Sequence, residues 1–258
     1  LRERGAWEDL AEALEARLRV ASDDYERLEI LDELVSLYRD ELRDEDAAFE
    51  RAVDQFKLDP ERADIVERLE ELAATLGRWD EVETLFASEA PANEEEASEP
   101  RRRLLRRVAE IRRTQLDDPE GAARAFRLLY GWVPDDREIA ESLESLYRHL
   151  ERHEDLVEIL EDRTEHATSD ERRIERLEEI ATLYDEVIED SQGAIETYRA
   201  IRELDPADES AVAALESLYR EQEAWIELEE LYVEELDRVY DPNDRRDSML
   251  DLARLRIE

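Results

Sequence analysis

Residues 153–225 read HEDLVEILEDRTEHATSDERRIERLEEIATLYDEVIEDSQGAIETYRAIRELDPADESAVAALESLYREQEAW, and this pattern recurs along the chain. Its first residue belongs to the series Trp7, Trp79, His153 and Trp225, which advances by 72, 74 and 72 residues. Three other residue types keep the same register: Pro60, Pro134 and Pro206; Asp44, Asp118 and Asp190; Ala48, Ala122 and Ala194. A fixed period of this length is typical of a solenoid built from helical repeats.

Each period contains four short segments in which apolar residues recur at helical spacing. The sequence therefore predicts an all-α chain of about fourteen helices in antiparallel pairs, forming a single solenoid over residues 1–258. The repeats are placed at 7–78, 79–152 and 153–224, with a partial one at 225–258. The last of these includes an opening helix over residues 244–257. Asp44, Asp118 and Asp190 are predicted to cap the N-termini of equivalent helices.

Within each repeat the helix pairs carry a recognisable pattern, which is best preserved around residues 177–206. The matching residues are Leu177-x-x-Ile180-Ala181-x-x-Tyr184, Ala194-x-x-x-Tyr198 and Pro206 in one repeat, and Leu31-x-x-Leu34-Val35-x-x-Tyr38, Ala48-x-x-x-Ala52 and Pro60 in another. The pattern resembles that of tetratricopeptide-repeat (TPR) proteins, specifically the long bacterial type with paired, over-length repeats. The resemblance implies a right-handed superhelical solenoid that serves as an interaction platform, without indicating which partner it binds.

The charge balance limits the classes of partner. Acidic residues number 76 against 36 basic ones, so the net charge is -40, and Lys57 is the only lysine. So negative a surface repels phosphate backbones and anionic lipids, which makes nucleic acid a poor partner and favours basic proteins and cations. Proteins of salt-accumulating cells have such a composition. A GC-rich genome would explain the missing lysine but not the acidic excess, and both explanations stay open.

Several features bear on compartment and chemistry. No cysteine is present, so disulfides and thiolate metal sites are excluded and the redox compartment is left undetermined. No apolar run reaches membrane-spanning length, and no signal peptide is visible, which slightly favours the cytoplasm. The chain begins without Met and ends within a helical pattern, so we expect a fragment of a longer array. The oligomeric state stays open.

The sequence predicts neither an enzyme nor a cofactor or metal site. The five glycines are isolated and form no phosphate-binding loop. Carboxylates are so abundant that pairs of them carry no information about acid-base catalysis. His149 and His153 have zinc-like spacing. However, His153 stands at the tryptophan position of the repeat, after a turn that would break the helix, so we interpret it as a packing residue.

One basic stretch departs from the repeat pattern. It reads RRRLLRR at residues 101–107 and continues with Arg112 and Arg113. The candidate partner-binding residues are Arg103, Arg106, Arg107 and Arg113. In TPR arrays such first-helix positions tend to face the concave groove, where arginines could bind a carboxylate or phosphate of a partner. Alternatively, Glu94–Glu96 and neighbouring acidic helices neutralise the stretch internally.

The other repeats hold acidic residues at several of these arginine positions, so reversing the charge there is predicted to preserve the fold. The predicted function is that of a non-catalytic scaffold that binds a peptide, a helix or an assembly subunit. Two alternatives are an acidic surface that sequesters basic proteins or mimics nucleic acid, and a helper segment of a larger enzyme.

Overall fold

The structure is a computed structural model that describes the backbone of residues 2–238 and, within it, the side chains of residues 5–236 and 238. Thirteen α-helices, and no strand, are found in this described part. They are α1 Arg2–Val20, α2 Asp24–Ser36, α3 Glu45–Leu58, α4 Ala63–Leu76, α5 Trp79–Glu89, α6 Glu99–Thr114, α7 Pro119–Trp132, α8 Arg137–His149, α9 His153–Glu165, α10 Asp170–Thr182, α11 Ser191–Leu204, α12 Glu209–Glu221 and α13 Trp225–Arg238.

The all-α series of short helices that the sequence predicts is confirmed for the described residues. Two helices run on as π-helical turns, α2 through Leu37–Leu42 and α10 through Leu183–Ile188, and a short 3-10 turn covers Glu94–Glu96. The predicted opening helix at residues 244–257 lies outside the described residues.

The predicted aspartate caps are confirmed by their hydrogen bonds. Asp44 accepts from the backbone N–H of Ala47 at 3.0 Å, and Asp118 accepts from that of Gly121 at 2.8 Å. Asp190 accepts from the backbone N–H of Gly193 at 3.1 Å. Each carboxylate thus accepts from an N–H group that has no partner inside its own helix. Its negative charge is also stabilised by the positive N-terminal end of the helix dipole.

Helices that precede these caps end in a left-handed residue. Arg43, Asp117 and Glu189 have φ values of 56°, 51° and 60°. The following amides donate to carbonyl oxygens six residues earlier, at 2.8–2.9 Å, one residue more than in a Schellman turn. The second turn of each repeat also contains a left-handed residue, at Gly77, Glu151 and Glu223, with φ values of 71°, 54° and 55°. There the following amide donates to the carbonyl oxygen five residues earlier, which is the hydrogen bond of a Schellman turn. Five of these six positions therefore hold residues that pay a steric penalty for a positive φ.

The chain divides into two compact units, residues 1–146 and 147–258, with the boundary inside α8. In the first unit, buried side chains of α2 to α6 form a continuous core in which the rings of Phe56 and Phe86 lie 5.2 Å apart. In the second unit, α11, α12 and α13 enclose another core around Leu215, Leu228 and Leu231.

Candidate protein-binding surface

Helix α6 holds the basic stretch and anchors it in the first unit. Leu104, Leu105, Val108 and Ile111 are buried along one side of the helix. Because these residues recur at three- and four-residue spacing, the arginines between them are directed away from the core. The helix therefore presents its cations at the rim of the core, beside α4 and the start of α8.

Each of the four candidate arginines has a carboxylate within ion-pair distance. The pairs are Arg103 with Glu99 at 3.7 Å, Arg106 with Asp136 and with Glu138 (3.1 Å), Arg107 with Glu70 at 3.4 Å, and Arg113 with Glu110 at 2.6 Å. These partners lie on α4, on α6 itself and around the start of α8. The predicted neutralising run Glu94–Glu96 takes no part in these pairs, and Glu96 instead accepts a hydrogen bond from the Asn93 side chain at 3.1 Å.

Arg106 has the same position in its repeat as Asp32 has in the first. Asp32 accepts from Arg62 at 3.1 Å, and the residue equivalent to Arg62 is Asp136, the partner of Arg106. The two repeats therefore use the same bridge between neighbouring helices with the charges exchanged. The tolerance of charge reversal at Arg106 stays a prediction, and the geometry opposes it, because an acidic residue there would face Asp136 and Glu138 rather than an arginine.

Arg103 and Arg107 line a small cleft between the starts of α4 and α6, which we name the α4–α6 cleft. Its volume is ≈ 100 Å³, and its apolar lining comes from Pro60, Ala63, Val66, Pro100 and Leu104. Arg103 is the most exposed of the candidates, with 59% of its side-chain surface accessible. The cleft thus combines an apolar floor with charges of both signs at its rim, since Glu61 and Glu67 line it beside the two arginines.

The Arg107 side of this cleft is less available to a ligand. Its partner Glu70 is largely buried, and burial raises the pKa of that carboxyl, although the nearby Arg107 guanidinium opposes the rise. Removing Arg107 would leave a half-desolvated carboxylate without its cation, which is costly. Arg107 therefore has a structural task, whereas the 3.7 Å contact of Arg103 with Glu99 stays within one exposed helix surface.

A polar network that the sequence analysis missed joins α2, α3 and α4. The fully buried Gln55 donates to Asp32 at 2.7 Å, and Arg68 donates to Gln55 at 2.8 Å and to Asp32 at 2.9 Å. Burial favours the neutral form of Asp32, but hydrogen bonds from Arg68, Gln55 and Arg62 outweigh it and lower the pKa of this carboxyl. The sequence does carry a sign of this network, because Gln55 is polar at a position where the other two repeats have the apolar residues Leu129 and Ile201.

Arg112 stands where the other two repeats have a tyrosine, and this deviation is compensated locally. At the equivalent positions, the hydroxyl groups of Tyr38 and Tyr184 donate to Glu15 and Glu161 at 3.4 and 3.1 Å. In the second repeat this glutamate is replaced by an alanine, and Arg112 donates to Glu83 at 2.8 Å instead. The pattern break at Arg112 is therefore a substituted bridge between paired helices.

The two histidines with zinc-like spacing lie on different helices. His149 ends α8 and His153 begins α9, with the left-handed residue Glu151 between them. Within the described residues, no group of three or more potential metal ligands occurs. Among the helices of residues 2–238, none combines the length and the apolar character that crossing a bilayer requires.

Comparisons with known proteins give similarities at low identity. No protein-family model and no curated protein sequence matches the chain. Among solved structures, a Naa15/Naa10 complex bound to HypK-THB is 14% identical with a TM-score of 0.45, and the match covers 98% of this chain but 39% of that one. A tetratricopeptide repeat protein from Parabacteroides merdae is 15% identical with a TM-score of 0.39, covering 89% of this chain and 92% of that one.

YrrB, described as a TPR protein with an unusual peptide-binding site, is 14% identical with a TM-score of 0.39, covering 79% of this chain and 98% of that one. At these values the matches assign no ligand, partner or residue role to this chain.

Proposed function

We propose that this chain is a non-catalytic scaffold that binds another protein, and that the α4–α6 cleft with Arg103 is one of its binding surfaces. The observation that supports this proposal is the exposure of Arg103 beside an apolar cleft. Its ion pair with Glu99 is long and solvent-exposed, and such pairs contribute at most about 1 kcal/mol. Replacing Glu99 by a partner's carboxylate as the contact of Arg103 therefore costs little free energy.

The chemistry of the cleft defines the segment that it would accept. A volume of ≈ 100 Å³ lined by Val66, Leu104 and two prolines suits one apolar side chain. An acidic residue next to that side chain would reach Arg103 and form a charge-assisted contact. We therefore expect the partner to present a short segment in which an apolar residue adjoins Asp or Glu.

Selection of a displayed peptide library on the purified chain tests this proposal. Peptides that pair an apolar with an acidic residue should be enriched, and Arg103→Glu should remove the enrichment. Arg173→Glu is the matched control, because it makes the same charge change at an arginine that likewise sits near a carboxylate of its own helix, Asp170. An enrichment that is unchanged by Arg103→Glu, or lost equally in both variants, would refute the role of the cleft.

A second candidate function uses the acidic surface as a whole. The net charge of -40 already counts every arginine, so the surface carries a large excess of carboxylates that can attract basic proteins. In that case Arg103→Glu and Arg173→Glu should both accelerate association with a basic test protein, with a steep dependence on salt. Slower association in either variant would argue against this function.

A further inference from the structure

A pocket lined mainly by charged side chains lies between α11 and α13, and we name it the α11–α13 pocket. Its volume is ≈ 570 Å³, and Tyr219 of α12 contributes to its lining. All three helices belong to the second compact unit, residues 147–258. This volume is typical of small-molecule sites, and the charged lining indicates a ligand that is itself charged.

Arg202 lines this pocket at a position where the first two repeats have buried aromatic residues. The equivalents Phe56 and Tyr130 are 0% and 4% exposed. The Arg202 guanidinium instead binds Glu234 at 3.1 Å and Glu235 at 2.7 Å on α13. Its side chain is only 10% accessible, and its buried Nε–H group has no hydrogen-bond partner within the described residues. The third repeat thus has a polar contact between these helices, with a costly donor still to be satisfied.

Arg199 presents unused donors to the same pocket. Its Nε donates to the Tyr219 hydroxyl at 2.7 Å, and its guanidinium lies 5.5 Å from the centroid of the Tyr219 ring. In the part of the chain that the structure describes, no carboxylate lies within ion-pair distance of Arg199. The tyrosine therefore holds the guanidinium in place, while its two terminal nitrogens stay available to bind a carboxylate.

The register between α11 and α13 places a carboxylate opposite Arg199. Arg238 donates to the carbonyl oxygen of Pro206, 32 positions earlier, at 2.9 Å. By the same step Arg199 faces Leu231, and Glu230 precedes this leucine. Arg199 and Glu230 both line the pocket, yet they form no ion pair with each other. The pocket therefore separates an unpaired cation from an unpaired carboxylate.

Unpaired carboxylates outnumber unpaired arginines in this pocket. Among its lining residues, the carboxylates with neither an ion pair nor a hydrogen bond within residues 5–236 and 238 are Glu203, Glu227 and Glu230. They would repel a purely anionic ligand, and a purely cationic one would leave Arg199 without a carboxylate. The pocket therefore favours a ligand with one negative group and a net positive charge.

We propose that the α11–α13 pocket binds a free dibasic amino acid, which has one carboxylate and two cationic nitrogens. Its carboxylate binds Arg199 and brings an acceptor towards the unsatisfied Nε–H group of Arg202. Its two cations pair with Glu227 and Glu230, and its aliphatic stem packs on Leu231. This site is independent of the proposed role in protein binding.

Isothermal titration calorimetry of the full chain tests the proposal with two probes, L-lysine and cadaverine, which is lysine without its carboxylate. L-lysine should bind saturably and more tightly than cadaverine. Arg199→Gln should weaken L-lysine binding about tenfold, because a charge-assisted contact is lost, without weakening cadaverine binding. Arg172→Gln is the matched control, because this arginine of α10 is likewise exposed and forms no ion pair with any described residue.

A second variant tests the acidic side of the pocket. Glu227→Gln combined with Glu230→Gln should weaken binding of both probes, since each probe loses partners for its cationic nitrogens. Circular dichroism spectra that match the parent would establish that the variants remain folded.

Absence of saturable L-lysine binding would overturn the inference, as would equal effects of Arg199→Gln and Arg172→Gln. Cadaverine that binds as tightly as L-lysine would also overturn it, because negative charge alone would then explain the binding. The variant Arg103→Glu should bind L-lysine like the parent, so failure of the α4–α6 cleft is distinguishable from failure of this pocket.

Discussion

Exchanging the charges of Arg106 and Asp136 tests whether this pair is a bridge that supports the fold or a binding determinant. Arg106→Asp removes contacts to Asp136 and Glu138 and places a third carboxylate beside them. Asp136→Arg creates the opposite repulsion. It also removes the hydrogen bonds that Asp136 accepts from the backbone N–H groups of Glu138 and Ile139 at 3.0 and 3.3 Å. The double variant restores a pair of opposite charges but not this helix cap.

The expected losses in the free energy of unfolding follow from the partial exposure of the Arg106 and Asp136 side chains. Both side chains are about one-third accessible, so we assign roughly 1 kcal/mol to the pair and a similar cost to the new repulsion. Arg106→Asp should therefore lower the free energy of unfolding by about 2 kcal/mol. Asp136→Arg should lower it by about 3 kcal/mol, because a lost cap adds about 1 kcal/mol. The double variant should lose only about 1 kcal/mol.

Urea unfolding followed by circular dichroism measures these values. The cycle should give a favourable coupling of about 4 kcal/mol, the double loss minus the sum of the two single losses, and molar salt should reduce it by screening. A double variant that loses the sum of the two single losses would refute the bridge. So would an Arg106→Asp variant as stable as the parent, since it would mean that the repeat tolerates either charge at this position.

The remaining predictions concern turns, pH and salt. Glu151→Gly and Glu223→Gly should each raise the free energy of unfolding by about 0.5–1 kcal/mol because they relieve a positive φ, and Gly77→Ala should lower it by about 1 kcal/mol; urea titrations check both. The pKa of Asp32 is lowered in the fold, so its contribution is present above about pH 4 and is lost as pH falls through the folded value. Asp32→Asn should therefore lose less stability than the parent between pH 7 and 3 in parallel urea titrations. Molar potassium chloride should raise the melting temperature by screening the net charge of -40, and an unchanged or lower midpoint would contradict this.

The architecture was predictable because its signals repeat. An aspartate at 44, 118 and 190 has one simple explanation, a helix cap, and three occurrences in one register outweigh chance. The turns were less predictable. A position with left-handed backbone conformation is usually occupied by glycine, but here it is occupied by Glu151, Glu223 and Arg43. The residue type therefore does not predict these turns.

The candidate surface was harder to predict, for an electrostatic reason. A run of arginines reveals which helix is basic, but the pairing of Arg106 and Arg107 depends on residues at least 30 positions away on neighbouring helices. Comparing repeats position by position would have detected the exchange at Arg106, because Asp32 and Arg62 are replaced together.

The partners of the exchanged bridges, Asp32 with Arg62 and Arg106 with Asp136, are both separated by 30 residues, well inside one period. A gene segment that encodes one repeat from its opening helix onward, such as residues 7–78 or 79–152, therefore carries both halves of its bridge. Duplicating or deleting such a segment leaves these bridges matched, whatever the polarity of their neighbours. A deletion of one full period that begins between the two partners would instead bring Asp32 against Asp136, two like charges. Insertions and deletions in this array should accordingly be tolerated when they begin at a repeat boundary and selected against when they begin between bridge partners.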